Sequence, residues 1–255
     1  MCGRFVITSA PAAMRQLFGY IDQPNFPPRY NIAPTQPVPV VIFENGVRHF
    51  RLMRWGFIPS WVKDPRKFPL LINARAETVL EKPAFQNAMK RRRCLIPADG
   101  YYEWPQSQAG KQPMFIHRRD GQPFGFAALM ETWMGADGEE LDTVAIVTST
   151  AGRGLADLHH REPVTIAPDH FERWLDCRAE DADNAFDLLG GSREGEFVWH
   201  LVSTKVNRVA NDDAQLILPI SAEEIAQEEG LKAKSKPPLR KPSPLAADDG
   251  QGSLF

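Results

Sequence analysis

Between Cys94 and Thr150 the chain alternates without pause between short apolar runs and turn residues. CLIPADGYYEW, PMFIHRR, FGFAALMETW and LDTVAIVTST follow one another across breaks rich in Gly and Asp. Runs of this length, dense in aromatic and β-branched residues, read as strands. Strands that dominate and connect locally predict an α+β fold of curled antiparallel β-sheets with flanking helices rather than a doubly wound sheet.

The remaining sequence adds elements consistent with that reading. Arg4 to Thr8 predicts a short strand, and Ser9, Pro11 and the periodic stretch to Phe18 predict a capped helix. Prolines 24, 27, 28, 34, 37 and 39 make residues 20–39 an extended, loop-rich passage. VPVVIF, Asn45-Gly46 and VRHFRLMRW form a hairpin signal. Residues 83–93 read as a helix whose basic run, Lys90 to Arg93, is a solvated end that complements the helix dipole. Helices are expected near 169–176 and 180–189, and strands at FVWHLVS and LILPI. From Ser221 the composition shifts to Glu, Lys, Pro and Ala, so residues 2–220 are expected to form one domain and 221–255 a flexible tail.

Bulk properties exclude several classes. The 255 residues carry a net charge of -2, so no global field advertises a nucleic-acid partner and any such surface must be a local patch. No apolar run approaches the roughly 18 residues needed to cross a bilayer, and no signal pattern opens the chain, which predicts a cytoplasmic protein. Three cysteines, at 2, 94 and 177, argue against a disulfide framework and a Cys-rich zinc site. Cys94 and Cys177 read as small buried hydrophobes. No His, Cys and carboxylate cluster has metal spacing and no Gly-rich loop suggests a nucleotide, so no cofactor is expected.

The chain opens MCGRF. Loss of Met1 would leave Cys2 with a free α-amine and a thiol on adjacent carbons. Reference pKa values of about 7.7–8.0 and 8.5 give both groups an appreciable nucleophilic fraction near neutrality. Such a 1,2-aminothiol condenses with an aldehyde through a Schiff base and closes a thiazolidine ring. Two other readings stay open at this point. Cys2 is an incidental residue on a frayed end, or it is the nucleophile of an N-terminal amidohydrolase with the amine as general base.

Four further stretches carry polar residues where a fold normally places apolar ones: RYNIAP (29–34), PLLINARAET (69–78), LIPADGYYEW (95–104) and LADLHHREPVTI (155–166). In an extended segment Asn73, Arg75 and Glu77 share one face. Glu103 lies between Tyr102 and Trp104, where desolvation would raise its pKa toward an acid/base range. His159 and His160 precede Arg161; taken alone they are surface or hydrogen-bonded imidazoles.

Taken together, MCGRF, RYNIAP, WGFIPSW, LINARAE, GYYEW, KQPMFI, HHREP and VSTKVN resemble, in order, the SOS-response-associated peptidase family, also called abasic-site processing proteins. The resemblance spans roughly residues 2–220. It implies a single-domain fold of curled sheets and a covalent crosslink between the exposed N-terminal cysteine and abasic sites in single-stranded DNA, with the peptidase label tied to release of Met1 and a lyase-like chemistry. Carried over by motif, Cys2 is the crosslinking nucleophile, Asn73 positions the sugar, Glu103 is the acid/base and His159 opens the H-x-R motif, with His160 at its variable position. Glu162 departs from relatives that often carry Met or Arg, and an acid there is expected to weaken a phosphate contact by Arg161.

The resemblance implies DNA contacts from phosphate-binding arginines and stacking aromatics. Arg4, Arg75 and Arg161 are the phosphate candidates, Trp61 and Trp104 the stacking or wedge candidates, and Asn31 a further contact. Trp55 and Phe57 read as core. The final QGSLF resembles the Q-x-x-L-F peptide by which bacterial repair proteins dock on the sliding clamp, with Gln251, Leu254 and Phe255 as contacts and the preceding tail as reach. A monomer that joins the nucleoid during repair is expected. A passive single-strand-binding module remains the alternative that would not need Cys2.

Overall fold

Fifteen short strands and five helices, as named below, account for the regular structure in the computed structural model, which describes residues 2–107 and 110–235. The strands are β1 (Phe5–Ile7), β2 (Arg29–Ile32), β3 (Pro37–Glu44), β4 (Val47–Trp55), β5 (Asn73–Arg75), β6 (Arg93–Ala98), β7 (Gly100–Glu103), β8 (Gln106–Ser107), β9 (Gly110–Lys111), β10 (Met114–Arg118), β11 (Phe124–Met134), β12 (Glu140–Thr150), β13 (Arg161–Pro163), β14 (Thr165–Ile166) and β15 (Phe197–Leu201). The helices are α1 (Pro11–Phe18), α2 (Gln86–Arg91), α3 (Phe171–Leu175), α4 (Ala182–Phe186) and α5 (Ala222–Ser235). This is the α+β fold that the strand pattern predicts.

The longer sheet curls until it closes. Its order runs β12, β4, β3, β6, β11 and back to β12, with β13 and β5 added along β12 and β14 along β11. Most pairings are antiparallel, but β12 runs parallel to both β4 and β5. The β3–β4 hairpin turns at Asn45 and Gly46, whose φ angles of 51° and 83° are those of the I′ turn that an Asn-Gly pair favours. The second sheet has the order β15, β10, β7, β1, β2.

The run CLIPADGYYEW, read as one strand-like stretch, is split between the two sheets at Asp99. There the Asp99 carboxylate accepts hydrogen bonds from Thr8 N (2.6 Å), Ser9 N (2.9 Å) and the Ser9 hydroxyl. Ser9 therefore serves this crossing and does not cap α1, whose N-cap is Ala10 with no side-chain hydrogen bond. Gly100 follows because a Cβ there would lie 2.4 Å from the Phe115 ring and 2.8 Å from the Ile116 carbonyl.

The core binds the two sheets together. Phe5 of β1 sits edge-on to Trp55 (5.1 Å) and Phe126 (5.9 Å), inside the closed ring. Phe18, from α1, stacks on Phe171 of α3 at 5.1 Å. Both rings are 1% exposed or less, and burying each such side chain stabilises the fold by roughly 1.5–3 kcal/mol.

Two expectations fail for identifiable reasons, and the segment expected as a tail opens with a helix. Helix α2 stops at Arg91, and Arg93 is no solvated helix end: it enters β6 at 2% exposure and donates to the carbonyls of Met89, Trp174, Asp176 and Glu180. LILPI is not a strand, because the Asp213 carboxylate takes Gln215 N (2.9 Å) and starts a 3-10 turn over Ala214–Ile217. The expected tail begins with structure, since Ser221 and Glu224 cap α5 reciprocally, Ser221 N to Glu224 Oε2 at 2.7 Å and Glu224 N to Ser221 Oγ at 3.2 Å. Helix α5 docks through buried Ile225 and through Glu228, which accepts from Thr204 N (2.8 Å) and from the Ser203 and Thr204 hydroxyls. Gln251, Leu254 and Phe255 lie outside the described residues.

Asn31 is fully buried and ties β2 to the segment after β15. Its Nδ2 contacts the carbonyls of Val206 (3.1 Å), Arg208 (3.1 Å) and Asn211 (2.7 Å), and its Oδ1 accepts from Arg4 (2.6 Å). Asn31→Ala strips a donor from buried carbonyls and should lower stability by roughly 2–4 kcal/mol. Urea unfolding should show the lower midpoint with an unchanged slope; a midpoint equal to wild type would contradict this assignment.

Candidate active site

Cys2 lies just before β1 and is wholly buried. Its carbonyl accepts from Asn73 Nδ2 at 3.0 Å. Asn73 opens β5, which the parallel pairing with β12 sets opposite Ile146. Ala74 is buried behind that strand, so Asn73 and Arg75 share the other face, while Glu77 lies beyond it on the 3-10 turn Ala76–Thr78. The Asn73 Oδ1 atom is buried and has no hydrogen-bond partner among the described residues.

Glu103 ends β7 beside the same N-terminal segment. The β1–β7 register pairs Phe5 with Tyr101, and Tyr102 N donates to Arg4 O at 2.9 Å; continued outward, the register sets Glu103 across from Gly3. Glu103 is 5% exposed. Burial pushes the Cys2 thiol far up from its ordinary pKa, and the Glu103 charge acts in the same direction. Tyr101, on the same face of β7, is pushed well up by burial and then by Glu162, Cys2 and Glu103, so its hydroxyl belongs to the same cluster.

His159 comes from the loop before β13. Its Nδ1 lies 3.0 Å from both the N–H and the carbonyl oxygen of Arg161, and its ring stacks on exposed His160 at 4.3 Å. Burial lowers the His159 pKa, against the raising effect of Glu103. A thiol, an amide, a carboxylate and an imidazole from four separated stretches thus converge, and the thiol and imidazole are both held toward their neutral forms. Such a group can bind a polar substrate and exchange protons with it.

The other expected contacts divide. Arg75 and Trp61 are exposed, Trp61 at 58% and edge-on to Phe68. Arg4 is partly exposed; it donates to Val206 O (2.9 Å) as well as Asn31, and lies 5.7 Å from the centre of the Trp104 ring. Trp104 is half-buried and donates to Asn207 Oδ1 at 2.7 Å. Trp55 and Phe57 are core, as expected.

Arg161 and Asn31, the other two expected DNA contacts, are engaged within the protein. Arg161 is 8% exposed and its guanidinium is committed internally, to Glu77 (3.1 and 3.0 Å) and to the hydroxyl and carbonyl of Thr148. Asn31 is buried under β2 with its amide spent on the carbonyls above. Glu162 also differs from expectation. It points away from the Arg161 head group and is 2% exposed, accepting from Ser192 N and from Ser192 Oγ at 2.9 Å. Tyr101 escaped the sequence reading, although its position two residues before Glu103 puts both on one face of a strand.

Among the described residues no group of His, Cys, Asp and Glu could hold a metal ion, and no helix is long and apolar enough to cross a membrane.

A curled ring sheet flanked by a second sheet, with a buried cysteine before the first strand, defines a recognisable class. The model of the SOS response associated peptidase (SRAP) family matches residues 1–209, and the chain belongs to that family. It is 36% identical over 221 residues to the abasic site processing protein YoaM of Bacillus subtilis, covering 85% of this chain and 97% of that one. It is 33% identical over 229 residues to the abasic site processing protein YedK of Escherichia coli, covering 86% and 100%. A crystal structure of a protein from Bacteroides thetaiotaomicron matches with a TM-score of 0.77 at 22% identity, covering 86% of this chain and 100% of that one, a likeness of fold.

The thiols differ in access: Cys2 and Cys94 are buried, and Cys177 is half-buried. Brief alkylation of the chain that retains Met1 should modify Cys177 first, read by peptide mapping. Cys2 labelled ahead of Cys177 would contradict the buried site.

Proposed function

We propose that this protein processes abasic sites in single-stranded DNA by forming a covalent thiazolidine link through Cys2 once Met1 is removed. The observation that carries the reading is the hydrogen bond from Asn73 to the Cys2 carbonyl, at a place where the Glu103 charge acts on both the Cys2 thiol and the His159 ring. It fixes the main chain of the residue whose nitrogen and sulfur must reach the same carbon. The family membership and the names of the relatives point the same way.

The chemistry proceeds in three steps. An abasic deoxyribose is mostly a closed hemiacetal; in this scheme protonated His159 gives a proton to its ring oxygen and Glu103 takes the proton of the C1 hydroxyl as the C–O bond opens to the aldehyde. The Cys2 amine adds to the aldehyde carbon, and loss of one water, with Glu103 moving the protons, leaves an iminium. The thiol then adds to the iminium carbon, its proton leaves to Glu103, and the nitrogen becomes a neutral secondary amine. A desolvated thiol is a poor nucleophile alone, but the cationic iminium beside it favours the thiolate at the moment it is needed. The unpartnered Asn73 Oδ1 is the acceptor for a hydroxyl of the opened sugar.

Exposed Arg75 and Trp61, with Arg4 and Trp104 at the rim, supply the phosphate and stacking contacts in this reading. A passive single-strand binder would use those residues and leave Cys2 idle. Incubation of the Met1-free protein with an abasic single-stranded oligonucleotide should give an adduct that survives denaturation. Cys2→Ala should abolish it with binding retained, and Glu103→Gln should slow it by roughly 100-fold. An undiminished adduct in Cys2→Ala, or none in the wild type, would sink the proposal.

A further inference from the structure

Glu77 lies beyond the Asn73–Arg75 face, on the 3-10 turn Ala76–Thr78, and the scheme above gives it no part. Its carboxylate is nevertheless the hub of a network. It accepts both terminal nitrogens of Arg161, at 3.1 and 3.0 Å, and the backbone N–H and hydroxyl of Thr150, at 3.2 and 3.3 Å. Arg161 also grips buried Thr148, through Nε to Oγ1 at 3.3 Å and NH2 to Oγ1 at 3.1 Å. The turn after β5, the end of β12 and the start of β13 are thereby locked together.

The locked residue is the one that holds the active-site imidazole. The peptide N–H and carbonyl oxygen of Arg161 bracket Nδ1 of His159, both at 3.0 Å. A neutral Nδ1 can accept from the N–H, and a protonated one can donate to the carbonyl. The ring therefore keeps one orientation through a proton cycle, provided that Arg161 itself does not shift. We infer that Glu77 is a positioning residue: by forking the Arg161 guanidinium it holds the Arg161 peptide groups around His159 and keeps the imidazole half-buried beside Glu103. This rests on the proposed role of His159 in proton transfer.

A merely structural ion pair predicts something different. The Glu77 side chain is 45% exposed, so its loss opens no cavity and exposes no core. Its main effect should fall on the imidazole. The charged and titratable groups around that ring are Glu103 on β7, the stacked His160 and the Arg161–Glu77 pair itself. Glu77→Gln leaves Glu103 and His160 in place but unpairs the Arg161 cation, which by charge alone would lower the His159 midpoint, so a raised midpoint reports the loss of the ring's position.

The test is an NMR titration of the His159 ring in the free protein, for wild type, Glu77→Gln and Glu77→Asp, with thermal melts to confirm folding. Wild-type His159 should titrate below the free-imidazole value of about 6.5, and Glu77→Gln should raise its midpoint by about half a unit as the ring leaves its desolvated position. Glu77→Asp, which keeps the charge on a shorter arm, should fall between. Adduct formation with abasic oligonucleotide should slow by about tenfold in Glu77→Gln, with affinity for intact single strand unchanged. A folded variant of either kind whose His159 titrates as in wild type overturns the inference. Absence of adduct in the wild type would count against the proposed function, while the titration would still decide the role of Glu77.

Discussion

The pairing of β1 with β7 is the constraint on which the site depends. β1 has only three residues, yet it lies between β2 and β7 and sends Phe5 into the closed ring against Trp55 and Phe126. With Phe5 pinned, the register to Tyr101 is set, and Cys2 and Glu103 fall at the same edge. Side chains alternate across a strand, so a slip of one residue would carry Glu103 and Tyr101 out of the cluster and bring Tyr102 in. The Asp99 crossing keeps that register by capping Thr8 and Ser9 where β1 ends.

Burial sets the electrostatics of this cluster. Burial is the leading influence on Cys2, on Tyr101 and on His159, and in each case it favours the uncharged form. Burial of this kind favours the neutral thiol, and positive charge placed beside it would favour the thiolate. In the proposed reaction the iminium supplies that charge. The arginine beside His159 is itself buried and is paired with a half-exposed Glu77, so its positive charge is offset within the ion pair.

The sequence disclosed the periodic and turn-coded parts of this molecule. The Asn-Gly hairpin, α1, the long strands β11 and β12 and the alternation of Asn73 and Arg75 all follow from local chemistry. What it concealed was tertiary. Arg161 reads as a free cation, because nothing near it in sequence announces Glu77, 84 residues away. Arg93 reads as a helix end, although the carbonyl of Met89 and three from the distant stretch 174–180 surround it. Asn31 looks like a polar residue available to a ligand, yet it is consumed by three carbonyls near residue 208. Helix α5 was legible in principle, since Ser221 and Glu224 have capping-box spacing, but the surrounding composition masked it. Convergence of Cys2, Asn73, Glu103 and His159 became visible before the structure only through their shared motifs.

The central claim is that nitrogen and sulfur of Cys2 join one sugar carbon. Intact mass spectrometry of the protein bound to an abasic oligonucleotide, followed by peptide mapping, tests it most directly. The account predicts a mass equal to the two components less one water, no need for chemical reduction to trap it, and both new bonds on residue 2. A conjugate carried by any other residue, or one seen only after reduction of an imine, would contradict it.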